Sequence, residues 1–527
     1  MAEPVRDITI VGGGTAGWLA AAMLNRYLNR NASAPVRVSL IESGKLPPIG
    51  VGEATVPPMR QVLHDVGVEE HEFFRRCNAT FKLGVRFTNW DLDARGHSVE
   101  YINSLTEGPV VNGRDPGAGF LAFAPEDWNF PRTVLPTDHL VDRARAPRRI
   151  GDQPYSATLG YAYHFEAGLF AEFMRDHATA QGVHHVIDDV DHVEMGTDGN
   201  VAALHLAEQG RWPVELVIDC TGFKGLIINK AMGEPFESYS DCMLNDRAIV
   251  GQVPRGADDP IYPYTGSWAL SSGWAWRIPL YSRISSGYVF SSAHLSDEEA
   301  RAELLNHWGM DEETFQPRVV PMRVGKTRRT WVNNCVSIGL AAGFIEPLES
   351  TGIYMTDRAI RFLIDYFPDQ GYDPRLQERY NELMGQVFDE VRDFIVAHYY
   401  LSNRDDSPYW RTARHETAVP QTLLDNLDVW RRTLPTSLDL PENRLFSAWT
   451  YEHVLFGKNF YTNADVPEGR HVARSDWEHF RAMVEEAKTQ LAETLPDQRA
   501  FLASLRGANA PQDERAAAQR VSADVTT

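Results

Sequence analysis

Cysteine is scarce in this chain, with four thiols in 527 residues. They are Cys77, Cys220, Cys242 and Cys335, and none belongs to a Cys-x-x-Cys pair or stands at metal-ligand spacing from a histidine. This pattern argues against a disulfide framework and a metal site, and it indicates buried thiols in a reducing cytosol. Since no basic leader with a following apolar stretch opens the sequence, we expect a cytoplasmic protein without a bound metal.

Positive charge is also in deficit, because 51 Lys and Arg face 72 Asp and Glu for a net charge of −21. This balance argues against nucleic acid and anionic membranes as partners. The sequence contains no run of about 18 apolar residues, so a membrane span is not expected. Apolar side chains are plentiful, at 43% of the chain, which is enough for a large core.

The first forty residues have the pattern of a β-α-β unit. Residues 7–11 form a short apolar strand, the glycine-rich loop 12–17 follows, and a helix is predicted from residue 18 to about residue 30. A second strand, residues 36–42, ends in Glu42, 25 positions after the last glycine of the loop. This context, and not the glycines alone, predicts a dinucleotide site.

The residues of this unit have distinct predicted tasks. The first glycine permits the tight turn, the second lets the backbone approach a pyrophosphate, and the third lets the helix lie close to the strand. The free N–H groups at the helix start attract phosphate, and the acidic residue accepts hydrogen bonds from ribose hydroxyls. The residues assigned to the dinucleotide are Gly12, Gly14, Thr15, Ala16, Gly17 and Glu42.

Two later segments favour FAD over NAD. Residues 217–225 and 335–343 are each typical of a strand that runs into a glycine turn, as in the FAD domains of oxidases and monooxygenases. The second segment has Gly339-Leu340 where many flavoproteins have Gly-Asp, so the usual ribitol contact is missing or replaced. No second nucleotide fingerprint follows the first, which predicts that a separate reductase supplies reduced flavin.

Several motifs point to one family. Residues 273–279 read Gly-Trp-Ala-Trp-Arg-Ile-Pro, a W-x-W-x-I-P motif whose Trp274 and Trp276 lie on one face of a predicted strand. Further matching segments are residues 50–57, 81–90, 346–354, 394–399 and 407–410. Together, from residue 7 to about residue 460, they resemble the flavin-dependent halogenases of the tryptophan halogenase family.

The resemblance implies a fold and a reaction. We expect an α+β or α/β chain, with an FAD-binding Rossmann-like body of the flavoprotein monooxygenase type and a largely helical C-terminal subdomain. Reduced FAD and oxygen would oxidise chloride or bromide to hypohalous acid, which halogenates an electron-rich aromatic ring of the indole class. A flavin reductase would act through diffusible flavin, without a lasting complex.

The resemblance also implies roles for individual residues. Lys82 would hold or capture the hypohalous acid near the substrate. A carboxylate would stabilise the ring cation and accept its proton. Glu349 is preferred to Glu346 for this task because it directly precedes Ser-Thr-Gly. Trp274 and Trp276 would keep the substrate away from the flavin.

Other implied contacts involve the flavin, the halide and the substrate. The backbone N–H groups of Thr351 and Gly352 would bind halide at a helix start. Further flavin contacts are assigned to Val51, Gly52, Ala54, Gly339 and Ile353. Substrate contacts are assigned to Ser350, Trp449, Tyr451, Glu452 and Phe456, of which the last four belong to an aromatic segment, 446–463, that also fits the core of a helical lid.

Three regions are predicted along the chain. Residues 1–350 would be the FAD-binding body with an inserted β-rich substrate side, and residues 351–506 a helical subdomain that covers the substrate pocket. Residues 507–527 are polar and free of aromatic residues, which predicts disorder. Helical periodicity supports the second region at residues 353–367, 375–400 and 477–495.

Alternatives remain open at this point. A single-component FAD monooxygenase would share the fold and oxidise NAD(P)H itself, but it gives no reason for the tryptophan motif, Lys82 and Glu-Ser-Thr-Gly together. A flavin-binding protein without catalysis is the other alternative. Residues 98–105 do not match the substrate-facing segment of the tryptophan enzymes, so we expect an atypical pocket for tryptophan, free indole or a derivative. Regiochemistry, halide preference and a homodimer stay open.

Overall fold

The computed structural model describes residues 3–30, 35–45, 51–93, 95–108, 116–125, 129–441, 444–461 and 472–507. Its strands are β1 (Asp7–Val11), β2 (Arg37–Glu42), β3 (Gly52–Ala54), β4 (Thr80–Lys82), β5 (Gly84–Leu92), β6 (Ser98–Ser104), β7 (Ala162–Glu166), β8 (His184–Ile187), β9 (Val190–Met195), β10 (Val201–Leu206), β11 (Gly210–Pro213), β12 (Leu216–Asp219), β13 (Phe236–Ser238), β14 (Arg247–Pro254), β15 (Thr265–Leu270), β16 (Gly273–Pro279), β17 (Arg283–Phe290), β18 (Arg318–Pro321), β19 (Gly325–Thr327), β20 (Trp331–Val332), β21 (Cys335–Ser337) and β22 (Gly343–Phe344).

Its α-helices are α1 (Thr15–Asn29), α2 (Pro58–Asp65), α3 (Glu70–Arg76), α4 (Pro116–Phe123), α5 (Phe130–Val134), α6 (Thr137–Val141), α7 (Ala167–Ala180), α8 (Asp297–Trp308), α9 (Gly352–Asp365), α10 (Pro374–Tyr400), α11 (Pro408–His415), α12 (Gln421–Trp430), α13 (Ala448–Gly457), α14 (Arg474–Thr494) and α15 (Gln498–Arg506). Shorter 3-10 turns include Gly222–Lys224, Gly339–Ala341 and Pro347–Glu349, and Leu226–Ala231 forms a π-helical turn. None of these described helices is both long and apolar enough to cross a membrane.

A six-stranded sheet in the order β20-β21-β12-β1-β2-β8 forms the first layer. The strands from β21 to β8 are parallel to their neighbours, and only β20 is antiparallel. Helix α1 packs on β1 and β2 and also contacts α7 and α9. Since helices cover the sheet, Ile8, Ile10 and Val11 of the central strand are all buried, as parallel strands require.

A second sheet has seven strands in the order β18-β14-β17-β16-β15-β5-β6. All of its pairs are antiparallel except that of β15 with β5. A small sheet, β3-β7-β4, joins two segments near the start of the chain to a strand 80 or more residues later. These pairings bring distant segments beside the end of the parallel sheet.

The described chain beyond β22 contains helices and no further strand. Helix α9 packs against α1 and α10, α13 lies against β6, and α14 covers α4, α5 and α6. The expected fold class, a mixed α and β body with a Rossmann-like parallel sheet and a helical C-terminal part, is confirmed. Residues 508–527, predicted to be disordered, lie outside the described residues.

Local sequence patterns differ from the structure at several places. The pattern of residues 60–80 indicates a helix, but a turn at Gly67 (φ +79°) separates α2 from α3 and β4 begins at Thr80. Residues 45–58 are rich in glycine and proline, which predicts irregular structure, yet β3 forms there because it pairs with β7. The stretch 98–340 has the pattern of short strands alternating with loops, but it also contains α4 to α8. Pairing and packing between distant segments decide these elements, and local periodicity does not record them.

Gly17 provides a test of the close packing of α1 against the glycine-rich loop that precedes it. A methyl group added there would lie 1.9 Å from the carbonyl oxygen of Gly12. We expect Gly17→Ala to lower the free energy of unfolding by about 2 kcal/mol or more, although alanine favours a helix by about 1 kcal/mol. Gly14→Ala is the matched control, because a methyl group there meets nothing within 4 Å. Chemical denaturation measures both, and equal stabilities would contradict the packing argument.

Candidate active site

A cavity of about 1110 Å³ opens at the carboxyl ends of the parallel strands. Ligands of open parallel sheets bind at this edge, where the strand order reverses. Every residue that the sequence assigned to the flavin lines this cavity: Gly12, Gly14, Thr15, Ala16, Gly17, Glu42, Val51, Gly52, Ala54, Gly339 and Ile353. Residues of α9 and α10 also contribute to the wall, so the helical part of the chain completes the cavity.

The glycine-rich loop fits a phosphate-bearing ligand. Gly12 has φ +116°, and a side chain there would collide with the carbonyl oxygen of Cys220 at 2.2 Å. Gly14 caps α1 with extended backbone and faces open space. Glu42 ends β2, and its carboxylate lies 2.6 Å from His185 Nε2. A dinucleotide pyrophosphate can therefore approach the start of α1 closely.

The start of α9 has the properties of an anion site. Thr351 is the N-cap residue, yet its side chain makes no capping bond. Its hydroxyl group is buried and has no hydrogen-bond partner among the described residues. Gly352, the first residue of the helix, lines the cavity. The helix dipole and a free buried donor together suit a small anion.

Two tryptophans form one wall of the cavity. Trp274 and Trp276 lie on β16 with ring centroids 6.3 Å apart, and both are buried. The indole N–H of Trp276 has no hydrogen-bond partner within the part of the chain that is described. Strands β15 and β17 pair with β16 on both sides and hold the two rings in register.

Lys82 is buried completely at the end of β4. Its Nζ donates hydrogen bonds to the carbonyl oxygen of Thr55 at 2.9 Å and to Ser350 Oγ at 2.8 Å. Burial lowers the pKa of Lys82 to about 7, and the nearby charge of Glu349 opposes this shift. Ser350 also lines the cavity, so one hydroxyl group connects the cavity with the lysine.

Glu349, whose charge acts on this amine, ends the 3-10 turn Pro347–Glu349. Its Oε1 accepts a hydrogen bond from Asn103 Nδ2 at 2.9 Å, and His398 Nε2 lies 3.1 Å from the same atom. The other ring nitrogen of His398 is 2.8 Å from the carbonyl oxygen of Phe394, which can only accept, so that nitrogen carries a hydrogen. Among the described residues Nε2 has no hydrogen-bond partner, so its approach to the carboxylate is a close contact without hydrogen-bond geometry.

Glu346 has a different environment from its neighbour three residues on. Its two oxygens accept hydrogen bonds from Tyr399 Oη at 2.5 Å and Asn245 Nδ2 at 2.6 Å. Asn245 in turn accepts one from Tyr409. Burial raises the pKa of Glu346 to about 7 despite these hydrogen bonds. Glu346 therefore belongs to a closed polar network, whereas Glu349 lies beside the lysine.

The aromatic segment at 446–463 is divided between two parts of the structure. Trp449 and Phe456 of α13 both pack against Phe130, and Trp449 Nε1 donates to the carbonyl oxygen of Thr106 at 3.2 Å. Tyr451 packs in the main core against Phe394 and Trp430 instead, and Glu452 is buried. The structure thus does not bring the rings of Trp449 and Tyr451 together. Residues 462 and 463 lie outside the described residues.

Sequence reasoning assigned no role to Asn103 or His398. His398 lies within a segment, 394–399, that matched the family, so a signal was available. Asn103 lies in the one segment that did not match, and only the pairing of β5 with β6 brings it to Glu349. Among the described residues, no group of three or more His, Cys, Asp or Glu side chains is arranged to hold a metal ion.

The parallel sheet, the glycine loop and the cavity at its edge define a dinucleotide-binding oxidoreductase of the flavoprotein class. The sequence profile of the tryptophan halogenase family matches residues 7–474. The chain belongs to this family and is a flavin-dependent halogenase.

Individual relatives support this membership along the whole chain. Tryptophan 7-halogenase RebH of Lentzea aerocolonigenes is 37% identical over 96% of this chain and 100% of its own length. Tryptophan 6-halogenase SttH of Streptomyces toxytricini is 35% identical over 94% of this chain and 98% of its own. The crystal structure of a tryptophan halogenase from Shewanella frigidimarina superposes with a TM-score of 0.90 at 32% identity, covering 97% of this chain and 99% of that one.

The two carboxylates can be separated by mutation. We expect Glu349→Gln to lower the halogenation rate by about two orders of magnitude with little change in stability, because Glu349 lies at the lysine. Glu346→Gln keeps the shape of the side chain but replaces a carboxylate that accepts two hydrogen bonds. This change should mainly lower the melting temperature. Turnover and thermal unfolding of both variants decide this, and the reverse ranking of rates would exclude Glu349 as the proton acceptor.

Proposed function

We propose that this protein uses FAD to turn chloride or bromide into hypohalous acid, and that Lys82 directs this oxidant to an indole. The observation that carries the proposal is the buried amine of Lys82, held by Thr55 and Ser350 beside Glu349. An ordinary buried lysine pairs with an acid for stability, whereas among the described residues this amine donates hydrogen bonds to a carbonyl and a hydroxyl group and forms no ion pair. Its lowered pKa is typical of a reactive lysine.

The cavity at the parallel sheet would hold FAD. The glycine loop at the start of α1 would bind the pyrophosphate, and the edge of β2 with Glu42 would bind a ribose. FAD held there in its reduced form, supplied by a separate reductase, would provide together with oxygen the two-electron oxidation of the halide. The start of α9, with the N–H groups of Thr351 and Gly352, would hold the halide ion beside this cavity. Trp274 and Trp276 would keep the organic substrate out of the cavity.

Lys82 would capture the oxidant through its neutral form. A neutral amine has two hydrogens, and Thr55 and Ser350 accept one each, so the lone pair is left for the halogen. With a pKa of about 7, a large share of Lys82 is neutral at neutral pH. The alternative is that an ammonium group donates a hydrogen bond to hypohalous acid, and this alternative has the opposite pH dependence.

Glu349 would complete the substitution. Attack of the ring on the halogen gives a cation, which a carboxylate beside it stabilises before it accepts the ring proton. Asn103 and His398 hold Oε1 of Glu349 from two sides and fix its orientation.

An indole is the proposed substrate class. Electrophilic halogenation requires an electron-rich ring, and the relatives above carry the name of tryptophan halogenases. Free tryptophan also needs partners for its ammonium and carboxylate groups. Of the residues assigned to such a site, Tyr451 packs in the core, away from Trp449. This arrangement supports a pocket that accepts free or substituted indoles at least as well as tryptophan.

The function is tested by competition between indole and tryptophan at equal concentration. The purified protein is supplied with FAD, NADH, a flavin reductase and either chloride or bromide, and products are quantified by mass spectrometry. We expect halogenated indole in at least the amount of halogenated tryptophan, and none when the reductase is left out. A strong preference for tryptophan would contradict the open pocket. Hydroxylated products from NADH without reductase would instead identify a single-component monooxygenase.

Lys82 gives a separate test through pH and mutation. We expect Lys82→Ala to abolish halogenation while reoxidation of added reduced FAD continues, because the amine acts after the halide is oxidised. In the wild type, single-turnover halogenation should rise about tenfold per pH unit below pH 7 and level off above it, as the amine loses its proton. A rate that falls as the pH rises through 7 would support the ammonium alternative. Near-normal halogenation by Lys82→Ala would remove Lys82 from the mechanism.

A further inference from the structure

Asn103 is a buried amide at the edge of the candidate active site. It lies on β6, opposite Val85 of β5, and only 4% of it is exposed. Strand β5 begins two residues after Lys82, so the β5 and β6 pair places the amide near the lysine and Glu349. No property of the fold requires a polar residue at this position, because a buried β-strand is filled most readily by apolar side chains.

The two ends of this amide differ in their partners. Nδ2 donates a hydrogen bond to Glu349 Oε1 at 2.9 Å. Oδ1 is buried and has no hydrogen-bond partner in the described ranges of the chain. The amide oxygen and nitrogen are about 2.3 Å apart, so with the 2.9 Å hydrogen bond this free acceptor lies within about 5 Å of Glu349 Oε1. A buried acceptor without a partner is unfavourable, and a native one calls for an explanation.

The surface around the amide is aromatic. Tyr101, two residues earlier and therefore on the same face of β6, stacks on Phe87 with the rings 10° from parallel and 4.9 Å apart. The ring of Phe87 lies 4.9 Å from that of His398, which contacts Glu349. The hydroxyl group of Tyr101 is likewise buried with no partner among the residues described. One face of β6 thus offers unpaired polar atoms beside flat rings and a carboxylate.

We propose that Oδ1 of Asn103 accepts a hydrogen bond from the ring N–H of the aromatic substrate, and that it makes the enzyme selective for N–H heteroaromatics such as indoles and pyrroles. The proposal rests on the proposed function for the identity of the reacting ring. One amide would then hold both reactants, because Nδ2 orients the carboxylate while Oδ1 orients the ring. During attack on the halogen, positive charge spreads to the ring nitrogen and makes its N–H a stronger donor. The hydrogen bond therefore strengthens in the transition state.

Binding of an N–H ligand and of an isostere without N–H tests the assignment. Dissociation constants of indole and benzothiophene are measured by equilibrium dialysis with the full-length protein, for the wild type and three variants. Asn103→Leu removes the acceptor, and Asn103→Asp keeps an acceptor oxygen but loses the amide donor to Glu349. Ser104→Ala is the matched control, because it removes a buried polar group from the other face of β6, where Ser104 contacts Thr137. The ratio of the two constants cancels the general effect of a mutation on the pocket.

We expect the preference for indole over benzothiophene to fall about tenfold or more in Asn103→Leu, which corresponds to loss of one hydrogen bond to a buried acceptor. Asn103→Asp and Ser104→Ala should keep the wild-type ratio, although Asn103→Asp should lower kcat because it places a second carboxylate at Glu349. An unchanged ratio in Asn103→Leu would overturn the proposal, as would loss of the preference in Ser104→Ala. If Asn103→Leu does not fold, a lost preference in Asn103→Asp would also overturn it.

The binding test is independent of the chemistry. A wild-type protein that prefers indole through Asn103 but forms no halogenated product would contradict the proposed function and leave the role of Asn103 intact. If the enzyme halogenates indole but wild type and Asn103→Leu both bind indole and benzothiophene equally, the role of Asn103 is contradicted and the proposed function stands. The two hypotheses therefore fail in different measurements.

Discussion

The amino group of Lys82 lies in the protein interior, and its two hydrogen bonds connect segments that are far apart in sequence. Nζ donates to Thr55, just after β3, and to Ser350, just before α9. An amine taken out of water needs such partners, so the three segments must keep their relative positions for the lysine to stay buried. The pairing of β3 and β4 with β7 fixes the segments that carry Thr55 and Lys82 relative to each other. The packing of α9 on α1 fixes the segment that carries Ser350.

Ser350 has a strained backbone conformation in this arrangement. It has φ +63°, a left-handed conformation that costs a non-glycine residue about 1 kcal/mol or more and persists where the surroundings fix it. The turn directs Ser350 to Lys82 while the preceding Glu349 faces Asn103 and His398. A regular helix through this segment would not separate neighbouring side chains in this way. This strained turn therefore lets two consecutive side chains reach different partners, Ser350 the amine of Lys82 and Glu349 the amide of Asn103.

The sequence predicted the parts of the site that lie within continuous motifs. The glycine loop, Glu42 and the start of α9 could be located because each lies at a junction between two elements that local patterns indicate. Asn103 could not be assigned, because β6 meets Glu349 only through tertiary packing. His398 lies within a matching segment, but only the packing of α10 shows that it contacts Glu349. The same limit explains β3, a strand that exists through pairing with a segment more than a hundred residues later.

The relatives of this chain share a halogenation reaction and differ in the ring position that they halogenate. The relatives RebH and SttH share 37% and 35% identity with this chain, yet their names specify positions 7 and 6 of tryptophan. Overall identity therefore carries no information about the ring position. Ser350 links the cavity at the parallel sheet with Lys82, whereas Asn103 of β6 contacts Glu349 and α13 packs against β6. Under the proposed function, the residues that orient the ring relative to Lys82 would decide the product. Segment 98–105, which contains β6, is also the part of the sequence that does not match the substrate-facing segment of the tryptophan enzymes.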